Sequence, residues 1–283
     1  WFATHNFHLD WSFYLEADRA VKCSYAGEEW QNEEFARRVD AAAAQLEVLG
    51  KKARPLRPGA YRVYLAPTAV AEIVGILSWG GFSLRAQRSG GSALLRMVKE
   101  GARLSEAVTL SEHAALGIAP AFNSGGYLKP ERIPLIERGA YREALVSPRS
   151  AAEYDASPNG AEEMEFPDSA DMEAGEMPAA EAAERLGDGL YINHLHYLNY
   201  SDRPAGRITG LTRFACFWVE GGRIAAPIPV MRFDDSIYRI LGENLVALTA
   251  ERELLPDPDT YAARSTGGAL LPGALIESFT LTL

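Results

Sequence analysis

The stretch from Leu190 to Val230 constrains this chain more than any other part of it. Leu190 to Tyr200 is dense in aromatic and branched residues, which pack best on a pleated, half-buried surface. Phe214 to Val219 is apolar at every position, the pattern of a strand covered on both faces. Glu220-Gly221-Gly222-Arg223 then supplies the positive φ angles of a two-residue hairpin turn. Ile224 to Val230 returns along that strand, and Pro227 and Pro229 assign this arm to a sheet edge, because each proline removes a ladder donor. Between the first two runs lies a polar segment, Ser201 to Arg207, expected as a loop held between buried strands. Loops so placed carry function more often than the strands around them. Ser201, Asp202, Arg203 and Arg207 are therefore candidate peptide- or partner-binding residues, through the guanidinium fork. The plainer alternative is that Asp202 and Arg203 only tie the loop to itself.

The rest of the chain supplies more hairpins and a few helices. Phe7 to Leu15 alternates with the period of a strand, and Ala20 to Tyr25 can pair with it across Glu16-Ala17-Asp18. Asn32 to Leu49 predicts a helix with Phe35, Val39, Ala42, Leu46 and Leu49 on one face and Gly50 as its stop. Tyr61 to Leu65 alternates again, and Pro67 opens a second helix to about Trp79, closed by Gly80-Gly81. A short helix is expected over Gly90 to Lys99, a strand over Ala107 to Leu110, and a hairpin turning at Glu137-Arg138-Gly139-Ala140. Ser157 to Glu176, with seven carboxylates and two prolines, reads as a solvated acidic excursion. A short helix follows over Ala179 to Leu186. Asp234 or Asp235 is expected to cap a further helix to about Glu253, burying Ile237, Ile240, Leu241, Leu245 and Leu248. The last residues alternate as a strand. Strands in hairpins outnumber helices, so the expected class is α+β with mainly antiparallel sheet.

Composition matters mainly for what it excludes. At 283 residues the chain can bury about three quarters of its unfolded surface. Its net charge is −10 and it has no basic cluster, a poor match for nucleic acid or anionic membranes. No run of apolar residues is long enough for a transmembrane helix. Two cysteines, Cys23 and Cys216, are too few for a disulfide framework and suggest reduced thiols in the cytoplasm. Trp1-Phe2 opens in mid-strand without an initiator methionine, so an upstream region is expected to be missing. His194 and His196, two apart on a strand, share a face and are the candidate metal ligands, although a third ligand is not legible. There is no H-E-x-x-H, C-x-x-C or phosphate-binding glycine loop.

Several ordered pieces carry a resemblance. Phe217-Trp218-Val219-Glu220-Gly221-Gly222, Leu135-Ile136-Glu137-Arg138-Gly139, Gly189-Leu190-Tyr191, Gly242-Glu243-Asn244 and Leu270-Leu271-Pro272 together resemble the TldD/TldE family, whose TldE member is also called PmbA. The family is named for modulation of DNA gyrase and associated with peptide processing. The resemblance covers residues 1–283 as the family's C-terminal portion, without its N-terminal region. It implies a metal-dependent peptidase built from two kinds of subunit. TldD-like subunits carry H-E-x-x-x-H on a helix and a late cysteine, which together bind zinc. Here the corresponding helix reads Ala71-Glu72-Ile73-Val74-Gly75-Ile76, so Ala71 and Ile76 stand where the histidines would be, and no cysteine follows Cys216. Alanine and isoleucine have no lone pair to give a metal. The resemblance therefore implies a metal-free, TldE-like subunit that completes a peptide cleft beside a zinc-bearing TldD-like partner. The opposing expectations are a peptidase in its own right using His194 and His196, or a self-associating, homo-oligomeric scaffold.

Overall fold

The computed structural model describes residues 1–17, 19–261 and 263–283. Strand β1 (Phe7–Glu16) pairs antiparallel with β2 (Arg19–Gly27), with Asp10 opposite Ser24 and Trp11 opposite Cys23. Asp18 of the turn expected there lies outside the described residues. Helix α1 (Asn32–Leu49) has the bounds its periodicity predicts. Together with Val21 of the hairpin, its Ala42 and Leu49 pack on Ala215 and Phe217 of the large sheet.

Strand β3 (Gly59–Leu65) leads into α2 (Pro67–Ser78), which has proline in its first turn, where no N–H is needed. α2 buries Val70, Ile73, Val74 and Leu77 against the sheet and leaves Glu72 and Gly75 on the outside. Two short helices follow, α3 (Leu84–Ser89) and α4 (Leu95–Glu100), each ended by a left-handed glycine. The chain then forms β4 (Leu110–Glu112), β5 (Ile133–Glu137), β6 (Ala140–Tyr141), α5 (Pro148–Tyr154), β7 (Ser169–Met172) and α6 (Ala182–Leu186). The long strands β8 (Gly189–Asp202) and β9 (Arg207–Glu220) come next, then β10 (Arg223–Pro227), β11 (Arg232–Ser236), β12 (Leu245–Pro256) and β13 (Gly268–Leu281).

Among the described residues eleven strands make one sheet in the order β10-β9-β8-β3-β13-β7-β4-β5-β6, with β11 and β12 joined to its centre. Among the described strands, β3–β8 and β13–β7 pair in parallel and the others antiparallel, so the α+β, mainly antiparallel expectation holds. The proline-bearing β10 lies at an edge, and Gly221 and Gly222 turn the hairpin at φ of 54° and 76°. The principal core includes Val63, Leu65, Ile192, Phe233, Ile276 and Phe279 between the sheet and α2.

Five expectations are corrected. The helix from Asp234 or Asp235 to Glu253 is instead β11, one irregular turn (Arg239–Glu243) and β12. Gly242, at φ −112° and ψ −109°, breaks the helical path, and β12 instead pairs along β13. Ile237, Ile240, Leu241 and Leu248 are buried as expected, but not by a helix. Ser201 to Arg207 is not a loop of seven residues, because β8 continues to Asp202 and β9 starts at Arg207. Ser157 to Glu176 is not a solvated excursion throughout. It contains buried β7, clamped between β4 and β13, and Glu165 is fully buried. The strand expected over Ala107 to Leu110 lies later, at β4, and the helix over Gly90 to Lys99 begins only at Leu95.

Candidate functional site

A cleft of about 860 Å³ opens between the β1–β2 hairpin and the outer side of α2. His8, Asp10 and Ser12 alternate along β1 and line it from the hairpin, while Ala71, Glu72 and Gly75 line it from α2. Phe122, Phe166 and Pro167 add an apolar wall, and the segment before β13 closes the far side. Glu72 is open to water yet hemmed in by protein within the concavity, so partial desolvation raises its carboxyl above the usual range. Ile76, by contrast, is only 4% exposed and belongs to the core.

His194 also lines the cleft. Its Nε2 lies 3.3 Å from the Lys22 carbonyl oxygen, and burial lowers its pKa. His196 is exposed, and the Phe214 ring touches both imidazoles at 5.6 and 6.5 Å between centroids. Among the described residues no three His, Cys, Asp or Glu side chains gather into a group that could hold a metal ion. The positions marked out by the helix motif, Ala71 and Ile76, offer no donor atoms either. The residues described at this helix do not fit a zinc centre.

His8, Asp10 and Ser24 form a set whose residue types suit nucleophilic catalysis. Its geometry does not. The Asp10 carboxylate at 3.1 Å and the Ser24 hydroxyl at 3.2 Å both meet Nε2 of His8, so they share one ring nitrogen where a proton relay needs one partner on each. Cys23, also on the cleft, is no better a nucleophile, because burial pushes its thiol up to about 11.

The four residues of the former loop lie away from this cleft and are largely engaged within the chain. The Asp202 carboxylate accepts the Ala205 N–H at 3.1 Å and so closes the turn. The Arg203 guanidinium stacks 4.5 Å from the Tyr200 ring centroid and reaches the Gly91 carbonyl at 3.5 Å. Arg207 pairs with Asp234, whereas Ser201 is exposed on the strand.

Two charged groups were not legible in the sequence. Lys129, its side chain 3% exposed, meets Glu112 at 3.3 Å and also bonds Asp168 on the cleft wall. Burial raises the Glu112 carboxyl, an effect only partly offset by Lys129. Asp171 joins His113 at 2.8 Å and Arg252 at 2.5 Å. Their members are scattered along the sequence, and only the pairing of β4, β7, β12 and β13 brings them together.

Solved structures share this architecture. TldE from Thermococcus kodakarensis superposes with a TM-score of 0.79 at 16% identity over 98% of this chain. A putative modulator of a DNA gyrase from Thermotoga maritima gives 0.75 at 15% identity over 98%. A putative modulator of DNA gyrase from Bacteroides thetaiotaomicron gives 0.72 at 15% over 98%. The chain spans 62%, 62% and 59% of those three proteins, and at such identities the likeness is one of fold. No curated protein matches the sequence. The sequence profile described as the PmbA/TldA metallopeptidase C-terminal domain matches residues 58–283, well over half of the chain, and to that family the protein belongs.

Proposed function

We propose that this chain is a metal-free, TldE/PmbA-like subunit that lends a peptide-binding wall to a zinc-bearing, TldD-like partner. The observation that carries the reading is the outer side of α2. It presents Ala71, Glu72 and Gly75 to a large cleft and retains the motif's glutamate, but offers no donor at either histidine position. A carboxylate with no metal-bound water to activate has lost the general-base task it would serve in a metallopeptidase. The cleft itself remains, with polar residues from the hairpin facing aromatic and proline side chains, a lining suited to an extended peptide. The TldE name of the Thermococcus relative agrees with this assignment.

The test is co-expression with a TldD-like chain, followed by metal analysis of each subunit and peptide cleavage assays on each alone and together. The expected result is zinc with the partner only, a stable complex, and cleavage only by that complex. About one zinc per copy of this chain, or metal-dependent cleavage by this chain alone, would refute the proposal and favour His194 and His196 as ligands.

A further inference from the structure

A second, smaller concavity runs along the other side of the same α2 ridge. Its volume is about 530 Å³, and Glu72, Gly75, Trp79 and Tyr197 are among its lining residues. Glu72, Gly75 and Trp79 fall at i, i+3 and i+7 and so share one face of the helix. They line the large cleft as well, so the two spaces meet along this ridge.

Three features here have no explanation in folding. Among the described residues the Glu72 carboxylate has no hydrogen-bond or ion-pair partner. Gly75 stands in mid-helix, where alanine would be better by about 1 kcal/mol. A Cβ there would meet nothing within 4 Å, so the missing side chain leaves open floor rather than relieving a clash. Tyr197 has a φ of 55°, in the left-handed region that a bulky residue enters only under constraint. It lies in a bulge where Tyr197 and Leu198 face Gly210, and its side chain is turned out to 80% exposure on the groove. Trp79, on the same groove, is 51% exposed.

We propose that this groove binds the protonated side chain of a lysine or arginine within a peptide, with Glu72 as counter-ion and Trp79 and Tyr197 as aromatic walls. The proposal deepens the peptide-cleft reading and rests on it. A cation suits both kinds of group at once, since aromatic faces attract positive charge and a partly desolvated carboxylate is stabilised by it. The aliphatic stem of the same side chain covers the open floor over Gly75. A neutral side chain would leave the Glu72 charge unmet, and an anion would be repelled. The raised pKa of Glu72 agrees, because a carboxylate in such surroundings gains most from an incoming cation. The adjoining cleft carries Asp10, Glu162, Asp168 and Asp257 and one lysine, Lys22, whose ammonium already rests 3.9 Å from the Phe214 ring centroid. A basic segment is thus drawn toward the ridge.

The test is calorimetric titration of the full-length protein with three probes: a blocked Gly-Gly-Arg-Gly-Gly peptide, its norleucine counterpart, and butylguanidine. The arginine peptide is expected to bind at least tenfold more tightly than either of the others. Glu72→Gln should remove most of that preference. Tyr197→Gly should weaken the arginine peptide at least fivefold while the melting temperature holds or rises, because glycine accepts the positive φ without strain. Gly75→Leu should block the groove in a folded protein. Equal binding of the norleucine peptide overturns the proposal, as does an arginine preference that survives Glu72→Gln. Butylguanidine binding as tightly as the peptide overturns the peptide part of it. Pairing with a TldD-like subunit is measured alongside. Retained pairing without arginine preference sinks this inference alone, whereas failure of the wild-type chain to pair sinks the parent reading.

Discussion

Glu165→Gln is the substitution whose cost the geometry defines most closely. The Glu165 carboxylate is fully buried and takes at least four donors. Oε2 accepts the Ser83 hydroxyl and the Arg85 N–H at 3.2 Å, and Oε1 accepts the Ser147 N–H at 2.9 Å and its hydroxyl at 3.0 Å. Ser83 and Ser147 are the N-caps of α3 and α5, so one side chain ties together the positive ends of two helices. Glutamine keeps the shape but turns an NH₂ toward one pair of donors. A hydroxyl can rotate to accept from it, but a backbone N–H cannot. Losing one charged hydrogen bond costs about 1.5–3 kcal/mol, and an orphaned buried N–H adds about 1–3 kcal/mol. The expected destabilisation at neutral pH is therefore about 3–5 kcal/mol, or a fall in Tm of about 6–20 °C for a protein of this size. The pH dependence has a definite sign. Burial by itself would raise the Glu165 pKa, but hydrogen bonds from Ser150, Ser83, Ser147 and Arg85 outweigh it and hold the group below its ordinary 4.5. A depressed folded pKa contributes stability in full above the unfolded value, and that contribution is lost as pH falls through the folded one. Urea unfolding of both proteins, followed by tryptophan fluorescence, should show a gap that is constant from about pH 8 to about pH 5 and narrows below that. A variant within about 1 kcal/mol of wild type at pH 7, or a gap that stays unchanged below about pH 4, would refute the clamp.

Three further outcomes are expected. Lys129→Met leaves Glu112, 3% exposed, without its cation, and should destabilise the protein by about 3–5 kcal/mol in thermal or urea unfolding; a loss below about 1 kcal/mol would show that the pair is dispensable. Arg207→Ala breaks the partly exposed pair with Asp234 and, if that pair is all the side chain does, should cost about 1 kcal/mol or less of stability with partner affinity unchanged; a pull-down showing lost pairing at unchanged stability would instead identify Arg207 as a binding residue. Burial pushes both thiols up to about 11, so maleimide labelling at pH 8 should be slow, with Cys23 on the cleft ahead of Cys216, which is 2% exposed; mass spectrometry showing Cys216 labelled first would contradict this burial.

Local pattern made much of the scaffold legible. Asn32–Leu49, the opening hairpin, the Gly221–Gly222 turn and the proline-bearing edge each carry a signal within a few residues of sequence. Where the sequence misled, a competing long-range interaction decided the outcome. The apolar set Ile237, Ile240, Leu241 and Leu248 fits a helical period, but pairing along β13 and the break at Gly242 convert it to turn and strand. Carboxylates read as solvated because charge favours water, and Glu165 and Asp171 escape that rule only through distant donors. The α2 ridge was legible as a helix with an altered motif. Its groove was not, because Tyr197 comes from a bulged strand more than a hundred residues away.

The place of β13 bears on how such a chain must acquire its shape. It lies between β3 and β7 in the middle of the sheet and also pairs with β11 and β12, yet among the described residues it follows the other twelve strands in chain order. Until residues 268–281 emerge from the ribosome, no strand pairing among the described residues joins β10-β9-β8-β3 to β7-β4-β5-β6. The nascent chain then exposes the inner edges of β3 and β7, rows of unpaired N–H and C=O groups that invite association with other chains. Completion of the sheet therefore waits on β13 and is slowed by contacts that span most of the sequence. A cell making this protein must shelter those two edges until the final strand slots between them.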